Sequence, residues 1–278
     1  MVVDEQGDIW FHQSWLETAM RCNERGRLSL VHPEFSEGQN DAALIGTATH
    51  EAIAGVLEGT VDPDEIGDAA VSAALRICTE EEVRWTKWTL PTQLAQHARR
   101  CAEAWVREIL PCVPMGGLVE VDFNVPLFES GERIVGIEGT IDYASPDGTL
   151  WDWKTSSKKY DQRGKQRVAI QPTVYATAAM HGALGPETKY RYPIRFHFGV
   201  MVRGEAKATT QVVDVMRSHA HETWLVDHLR TYIDVADALG VKRHWPRNED
   251  HYLCNEVWCP WWSICKGARL SDSDNTWS

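Results

Sequence analysis

Three cysteines, Cys254, Cys259 and Cys265, fall within twelve residues near the end of the chain, and Pro260 sets a turn just after the middle one. Thiolates gathered so closely are most simply explained by a metal centre, yet three is one short of a tetrahedral four-cysteine site or a four-iron cluster. The fourth ligand has to come from elsewhere. Cys22, beside Arg21, Arg25 and Arg27, is the strongest candidate, with His251 as the alternative. Spacing alone does not separate zinc from iron–sulfur. The remaining thiols, Cys78, Cys101 and Cys112, sit singly in stretches that read as helix or helix end, where small buried hydrophobes are expected.

Seven cysteines is an odd number, which fits a reducing compartment rather than a disulfide framework. No run approaches the ~20 apolar residues of a membrane helix, and the N-terminus has no basic segment leading into an apolar one, so a cytoplasmic protein without a signal peptide is expected. The formal charge of −12 argues against a nucleic-acid partner only if it is evenly spread. It is not. Asp62, Asp64, Glu65, Asp68 and Glu80–Glu82 crowd one helical region, whereas residues 154–167 carry Lys154, Lys158, Lys159, Arg163, Lys165 and Arg167 against Asp161 alone, a local charge of +5. Such a run is the natural counterpart of a phosphate backbone.

Periodicity divides the 278 residues into helices, a β-meander, a helix, two strands and a last helix, with no repeat or linker. Residues 14–30 read as helix and then as a basic loop, and 33–41 as a polar loop. An apolar stripe marks a helix over 41–57 despite Gly46. Asp62 and Pro63 open a long helix to about Trp88, and Pro91 opens another to about Leu110. Val119, Val121, Phe123, Val125 and Leu127 alternate with polar residues as a strand does. Strands at 133–143 and 149–155 follow, joined by an Asp147-Gly148 turn. A helix over 167–181, strands over 194–202 and 208–215, and a helix over 218–239 complete the pattern. The whole reads as one α/β domain.

Two carboxylates fall near facing ends of neighbouring strands in that meander: Asp142 in Gly139-Thr140-Ile141-Asp142, and Asp152 in Asp152-Trp153-Lys154. Alternation puts Asp152 and Lys154 on one face and Trp151 and Trp153 on the other. Carboxylates so placed repel unless a cation lies between them, and hard oxygen donors favour magnesium or manganese. Lys154 beside that ion would hold or polarise an attacking water, the arrangement for metal-assisted phosphodiester hydrolysis. His50 lies on an otherwise small and apolar helix. Gln171 and Tyr175, four apart, share a face of the helix after the hairpin.

Taken in order, these residues resemble the RecB-like branch of the PD-(D/E)XK nucleases, and within it the iron–sulfur exonucleases typified by small CRISPR-associated and phage-encoded enzymes. The resemblance spans roughly residues 14–266 and rests on Gly46–Glu51, Gly139-x-x-Asp142, Asp152-x-Lys154, Gln171-x-x-x-Tyr175 and the split cysteines. It implies an α/β restriction-endonuclease-like core, a mixed central β-sheet flanked by helices. The single nuclease domain would cover 1–278, with segments 14–30 and 250–270 closing an iron–sulfur cap over a core at 41–240. It further implies His50, Asp142, Asp152 and Trp153 as metal ligands and Lys154, Asp152, Asp142, Gln171 and Tyr175 as the catalytic set. Cys22, Cys254, Cys259 and Cys265 would hold a 4Fe–4S cluster. Glu120 lies where the family often has an upstream acid. Two features depart from the pattern: four residues rather than two separate Cys254 from Cys259, and Asp152 stands where many relatives have Glu.

The implied activity is a Mg2+- or Mn2+-dependent DNA exonuclease working on single strands or ends in recombination, replication or end processing, with a recombination or replication protein as a partner and, if phage-encoded, the bacterial host cytoplasm as its location. Two other readings stand beside it: an iron–sulfur or zinc module that grips DNA ends without cutting, and a subunit active only within a helicase or integrase assembly. Thirteen tryptophans are expected mostly in the core or shielding the cluster, with some stacking on unpaired bases.

Overall fold

The chain opens with two short strands, β1 (Val2–Val3) and β2 (Ile9–His12), that precede the first element expected from periodicity. Two helices follow, α1 (Gln13–Arg21) and α2 (Asn23–Val31), separated by Cys22 in an extended conformation. The basic stretch expected as a loop is therefore helical. Part of its charge is paired internally: Arg27 donates to both oxygens of the buried Glu24 at 2.8 Å. Gly26 lets the second helix close on the first, because a Cβ there would sit 2.7 Å from the Ala19 methyl.

The computed structural model describes residues 1–35, 40–80, 83, 85, 90–185, 190–256 and 258–266. Helix α3 (Asp41–Glu58) is capped by the Asn40 side chain, which accepts from Ala43 N, and ends at the left-handed Gly59. Asp62 caps a short 3-10 turn at Pro63–Glu65 that leads into α4 (Ile66–Glu80). The expected continuation of that helix to Trp88, including Glu81 and Glu82, lies outside the described residues. Helix α5 (Pro91–Glu108) completes a three-helix layer. Cys101 is buried in that layer and Cys78 is half-buried, but Cys112 is exposed in a one-turn 3-10 segment, contrary to the expectation of burial.

The meander forms as expected: β3 (Leu118–Ser130), β4 (Arg133–Ala144) and β5 (Leu150–Ser156). The basic stretch after it is partly helical. Asp161 accepts from Arg163 N and Gly164 N and so starts α6 (Gln162–Val168), and α7 (Ile170–Met180) begins only after a break at Ala169. Strands β6 (Ile194–Val202) and β7 (Thr209–Arg217), then α8 (His219–Leu239) and a final turn α9 (Trp262–Cys265), complete the chain.

The strands make one seven-stranded mixed sheet in the order β1-β2-β4-β5-β6-β7, with β3 along the other edge of β4. Strands β2 and β4 are parallel, as are β5 and β6; the remaining pairs are antiparallel. Helices cover both faces. One core packs α1, α7 and α8 on Phe11, Ile137, Phe196 and their neighbours. The other packs α3, α4 and α5 on Tyr143, Trp151, Trp153 and Met201. Trp151 and Trp153 thus point away from the face that carries Asp152 and Lys154, as alternation requires.

Arg217 fixes the corner between α6 and α7. Its guanidinium, 1% exposed, donates to Thr173 Oγ1 at 2.8 Å and to the main-chain oxygens of Lys165, Gln166, Ala169 and Met216. Removing it orphans several carbonyls at once, so Arg217→Ala is expected to lose more than about 2 kcal/mol of stability. Urea unfolding checks this; an unchanged midpoint would show that the corner holds without it.

Candidate active site

Strand β4 has β3 along one edge and shares its other edge between two partners. It pairs with β5 only at Tyr143↔Trp151 and Ala144↔Leu150, and with β2 only over residues 135–138. Between those stretches β4 and β5 part. The register would next set Asp142 opposite Asp152, but instead the Asp142 carboxylate enters the fork and its Oδ2 accepts the main-chain N–H of Trp153 at 2.7 Å. At Gly139 a Cβ would lie 3.1 Å from the Phe123 ring, so glycine lets β4 pass close under that ring of β3.

The other side chains converge on this fork from separate elements. His50 of α3 brings Nδ1 to 3.4 Å from Asp142 Oδ2. Helix α3 can approach because Gly46, one turn earlier, leaves room for Thr155 of β5: a Cβ would already stand 3.3 Å from its Oγ1. Asp152 is fully buried. Its Oδ2 forms a 2.6 Å ion pair with Lys154 Nζ, and its Oδ1 accepts from Gln171 Nε2 at 2.5 Å. Gln171 also donates to Tyr175 Oη at 3.0 Å, so the two residues four apart on α7 act together. Trp153 presents only its main chain here; its indole is 1% exposed in the opposite core, 5.4 Å from Trp105 between ring centres.

Glu120 completes the arrangement from β3. It has φ +47°, which for a side chain other than glycine is strained. The strain has a consequence in packing. Val121 packs on one core and Val119 on the other, so the strand changes face at Glu120. Among the described residues, His50, Glu120 and Asp142 bring three potential ligand atoms within 4.8 Å of one another. The alternation of β3 marks Glu120 as polar-facing, but a left-handed backbone at that position has no signature in the sequence.

The electrostatics suit a cation. Desolvation and the Lys154 ammonium push His50 down to about 4, leaving a neutral imidazole at pH 7. Desolvation raises Asp142. It also raises Asp152, although Lys154 opposes it. Glu120 is pushed up to about 7 by desolvation together with Asp142 and Asp152. Desolvation works against the Lys154 charge too, but Asp152 and Asp142 outweigh it and the ammonium is retained. Glu120 and Asp142, two carboxyls that resist ionising, form with the neutral His50 imidazole a donor set that fits a divalent ion of the magnesium or manganese kind; Asp152 lies outside that group of atoms, held by Lys154 and Gln171.

The cysteines gather elsewhere. Cys22, between α1 and α2, lines one cavity together with Cys254, Cys259 and Cys265. His251 lines it as well, but its Nδ1 accepts from Leu253 N at 3.1 Å. Arg25 Nε and Nη1 and Arg247 Nη1 are buried without a hydrogen-bond partner, and both residues line the cavity.

The segment carrying the three late cysteines is fastened to α2 by Glu24. That carboxylate, besides Arg27, meets His244 Nδ1 at 2.5 Å and accepts Trp245 N at 2.7 Å. Trp261 Nε1 adds a bond to His32 O at 2.9 Å.

A family model for the PD-(D/E)XK nuclease superfamily matches residues 13–266. The chain belongs to this superfamily. Its PD-(D/E)XK fold is also found in the solved structure of a putative exonuclease from Eubacterium rectale. That structure aligns with a TM-score of 0.54 and 12% identity over 88% of this chain and 86% of that one, a likeness of fold alone. A structure of the protein SSO0001 aligns at a TM-score of 0.37 and 10% identity over 83% and 78% of the two chains, too loosely to bear on the fold. No curated protein matches the sequence significantly. PD-(D/E)XK nucleases use divalent metals, in accord with the donor set at the fork. No described helix is long and apolar enough to cross a membrane.

Glu24→Ala leaves the nearly buried Arg27 without its counter-ion, which is expected to cost roughly 3–5 kcal/mol and to open the segment after Gly240 to protease. A variant as stable and as resistant as the parent would show that the segment is held by other contacts.

Proposed function

We propose that the chain is a RecB-like, metal-dependent deoxyribonuclease that acts at DNA ends as an exonuclease, with a 4Fe–4S cluster joining the two ends of one nuclease domain. The observation that carries the catalytic half is the continuous set of contacts in the β4–β5 fork, from His50 through Asp142 and the Trp153 main chain to Asp152, Lys154, Gln171 and Tyr175.

In this reading His50, Asp142 and Asp152 hold the divalent ion, with Glu120 beside them and the Trp153 main chain at the same place. The bound ion supplies Lewis acidity toward a phosphoryl oxygen and a more acidic water. The residues of the chain do the positioning. Asp152 holds the Lys154 ammonium by its 2.6 Å pair, and a charged lysine so fixed donates to the attacking water or to a non-bridging phosphate oxygen. Gln171 fixes the Asp152 carboxylate from the other side, and Tyr175 fixes Gln171. Neutral His50 offers a lone pair rather than a competing positive charge.

The exonuclease mode rests on the resemblance of the ordered motifs and agrees with the name of the Eubacterium rectale protein. The cluster reading is supported by four thiols around one cavity and by the unpartnered arginine donors.

Two measurements test the two halves separately. On 5′- and 3′-labelled DNA with magnesium or manganese, Lys154→Ala and Asp152→Ala are each expected to lower hydrolysis at least about 100-fold, and chelation to abolish it. Wild-type rates in both variants would end the catalytic reading. Protein handled anaerobically is expected to be brown, and Cys22→Ala colourless and less stable; a brown, stable Cys22→Ala protein would sink the cluster assignment.

A further inference from the structure

The cavity that gathers the four thiols also gathers two guanidinium groups that the ligand set does not use. Arg25 comes from α2 and Arg247 from the segment after α8, one from each part of the chain that supplies a cysteine. Among the described residues neither pairs with a carboxylate. The acids of this region are engaged otherwise: Glu24 with Arg27, His244 and the Trp245 main chain, Glu17 with Arg21, and Glu249 with Lys266.

Both arginines are instead placed by the architecture around them. Arg25 lays its guanidinium 5.6 Å from the ring centre of Trp261, a residue 3% exposed and tied through Nε1 to His32 O. Arg247 stands between two residues fastened to the first helices. Pro246 O accepts Glu24 N at 3.2 Å, and Asn248 Nδ2 donates to Arg21 O at 3.0 Å. One arm of Arg247 is occupied, Nη2 lying 3.3 Å from His244 Nδ1. Arg25 Nε and Nη1 and Arg247 Nη1 are left as buried donors without an acceptor.

A charged donor shielded from water is costly to leave unmade, and these atoms lie too deep to meet a phosphate in solution. The acceptors beside them are sulfurs. Burial raises the Cys259 and Cys265 thiols above their ordinary range, and Arg25 opposes it at Cys259 as Arg247 does at Cys265. Each arginine thus acts on its own cysteine. The potential of an iron–sulfur cluster follows its net charge, the hydrogen bonds to its sulfurs and its exposure. We infer that Arg25 and Arg247 donate to the cluster's sulfurs at the Cys259 and Cys265 corners and hold its reduction potential above the value that the four cysteines alone would give. The inference rests on the cluster reading above. It adds two positioning residues outside the ligand set and a redox poise that fastening two chain ends does not require.

The test uses the whole chain, kept anaerobic and titrated with dithionite against mediators, the reduced cluster being read by its electron paramagnetic resonance. Dithionite supplies one electron per cluster, and no bond is made or broken. Arg25→Met and Arg247→Met are each expected to lower the reduced-to-oxidised ratio at a fixed potential about tenfold, or about 59 mV for a one-electron couple; Arg25→Lys and Arg247→Lys are expected to restore part of it. Arg21→Met is the control, because Arg21 lines the same cavity but is paired with Glu17; its midpoint is expected to match the parent. Parental midpoints in both Met variants would overturn the inference, as would an equal shift in Arg21→Met. A Met variant that releases its iron is replaced by the Lys variant and read by resonance Raman: shifted Fe–S(Cys) stretching bands support the contact, and parental bands refute it. Iron and zinc are assayed in the same samples. A parent that holds zinc or no metal ends the cluster reading and this inference together, whereas a brown parent whose variants keep its midpoint ends the inference alone.

Discussion

Antiparallel strands joined by a short turn normally zip to their ends. Here β4 and β5 stop after two residue pairs, and the Asp142 carboxylate takes the Trp153 N–H that the ladder would have used. That bond keeps the fork open without leaving a buried donor unpaired, which would cost about 1–3 kcal/mol. Everything at the site depends on it. Freed from β4, β5 continues along β6 in parallel and carries Asp152 and Lys154 into the space between the layers. The vacated edge of β4 is taken further along by β2, which leads straight into α1.

The two helical layers serve the fork differently. Helix α3 supplies His50 through a small-residue approach to β5, at Gly46. Helix α7 supplies Gln171 and Tyr175, and Arg217 fixes its start relative to the sheet. The strained backbone at Glu120 acts on the third side, where one non-helical torsion moves β3 from one core to the other. A strained residue persists only where its surroundings over-determine it, and here two cores do so.

Local pattern carried much of this. The meander, α3, α5 and α8 were readable because each buries one face, and periods of 2 and 3.6 leave their mark on composition. The sharing of one face by Asp152 and Lys154 followed from alternation alone. Other features were hidden for physical reasons. Strand β2 is four residues long and is stabilised by pairing with β4 more than 120 positions away, a contact no local window contains. Helix α2 reads as a basic loop because part of its charge is satisfied inward, by a buried Glu24–Arg27 pair. Helix α6 has no buried residue to mark a face, and its legible sign is the cap, Asp161. The fork itself was invisible: the sequence placed Asp142 opposite Asp152, and only the three-dimensional register shows where the pairing ends.

The cavity lined by four thiols also sets an order in time. Cys22 leaves the ribosome 232 residues before Cys254 and 243 before Cys265. At typical synthesis rates of 5–20 residues per second, that is a wait of roughly 10–50 s. Meanwhile β4, β5 and α7, with every side chain of the candidate site, have already been made. The fork can thus assemble while Cys22 still waits for the three late cysteines. Closure of the cysteine cavity follows the synthesis of every side chain of the candidate site.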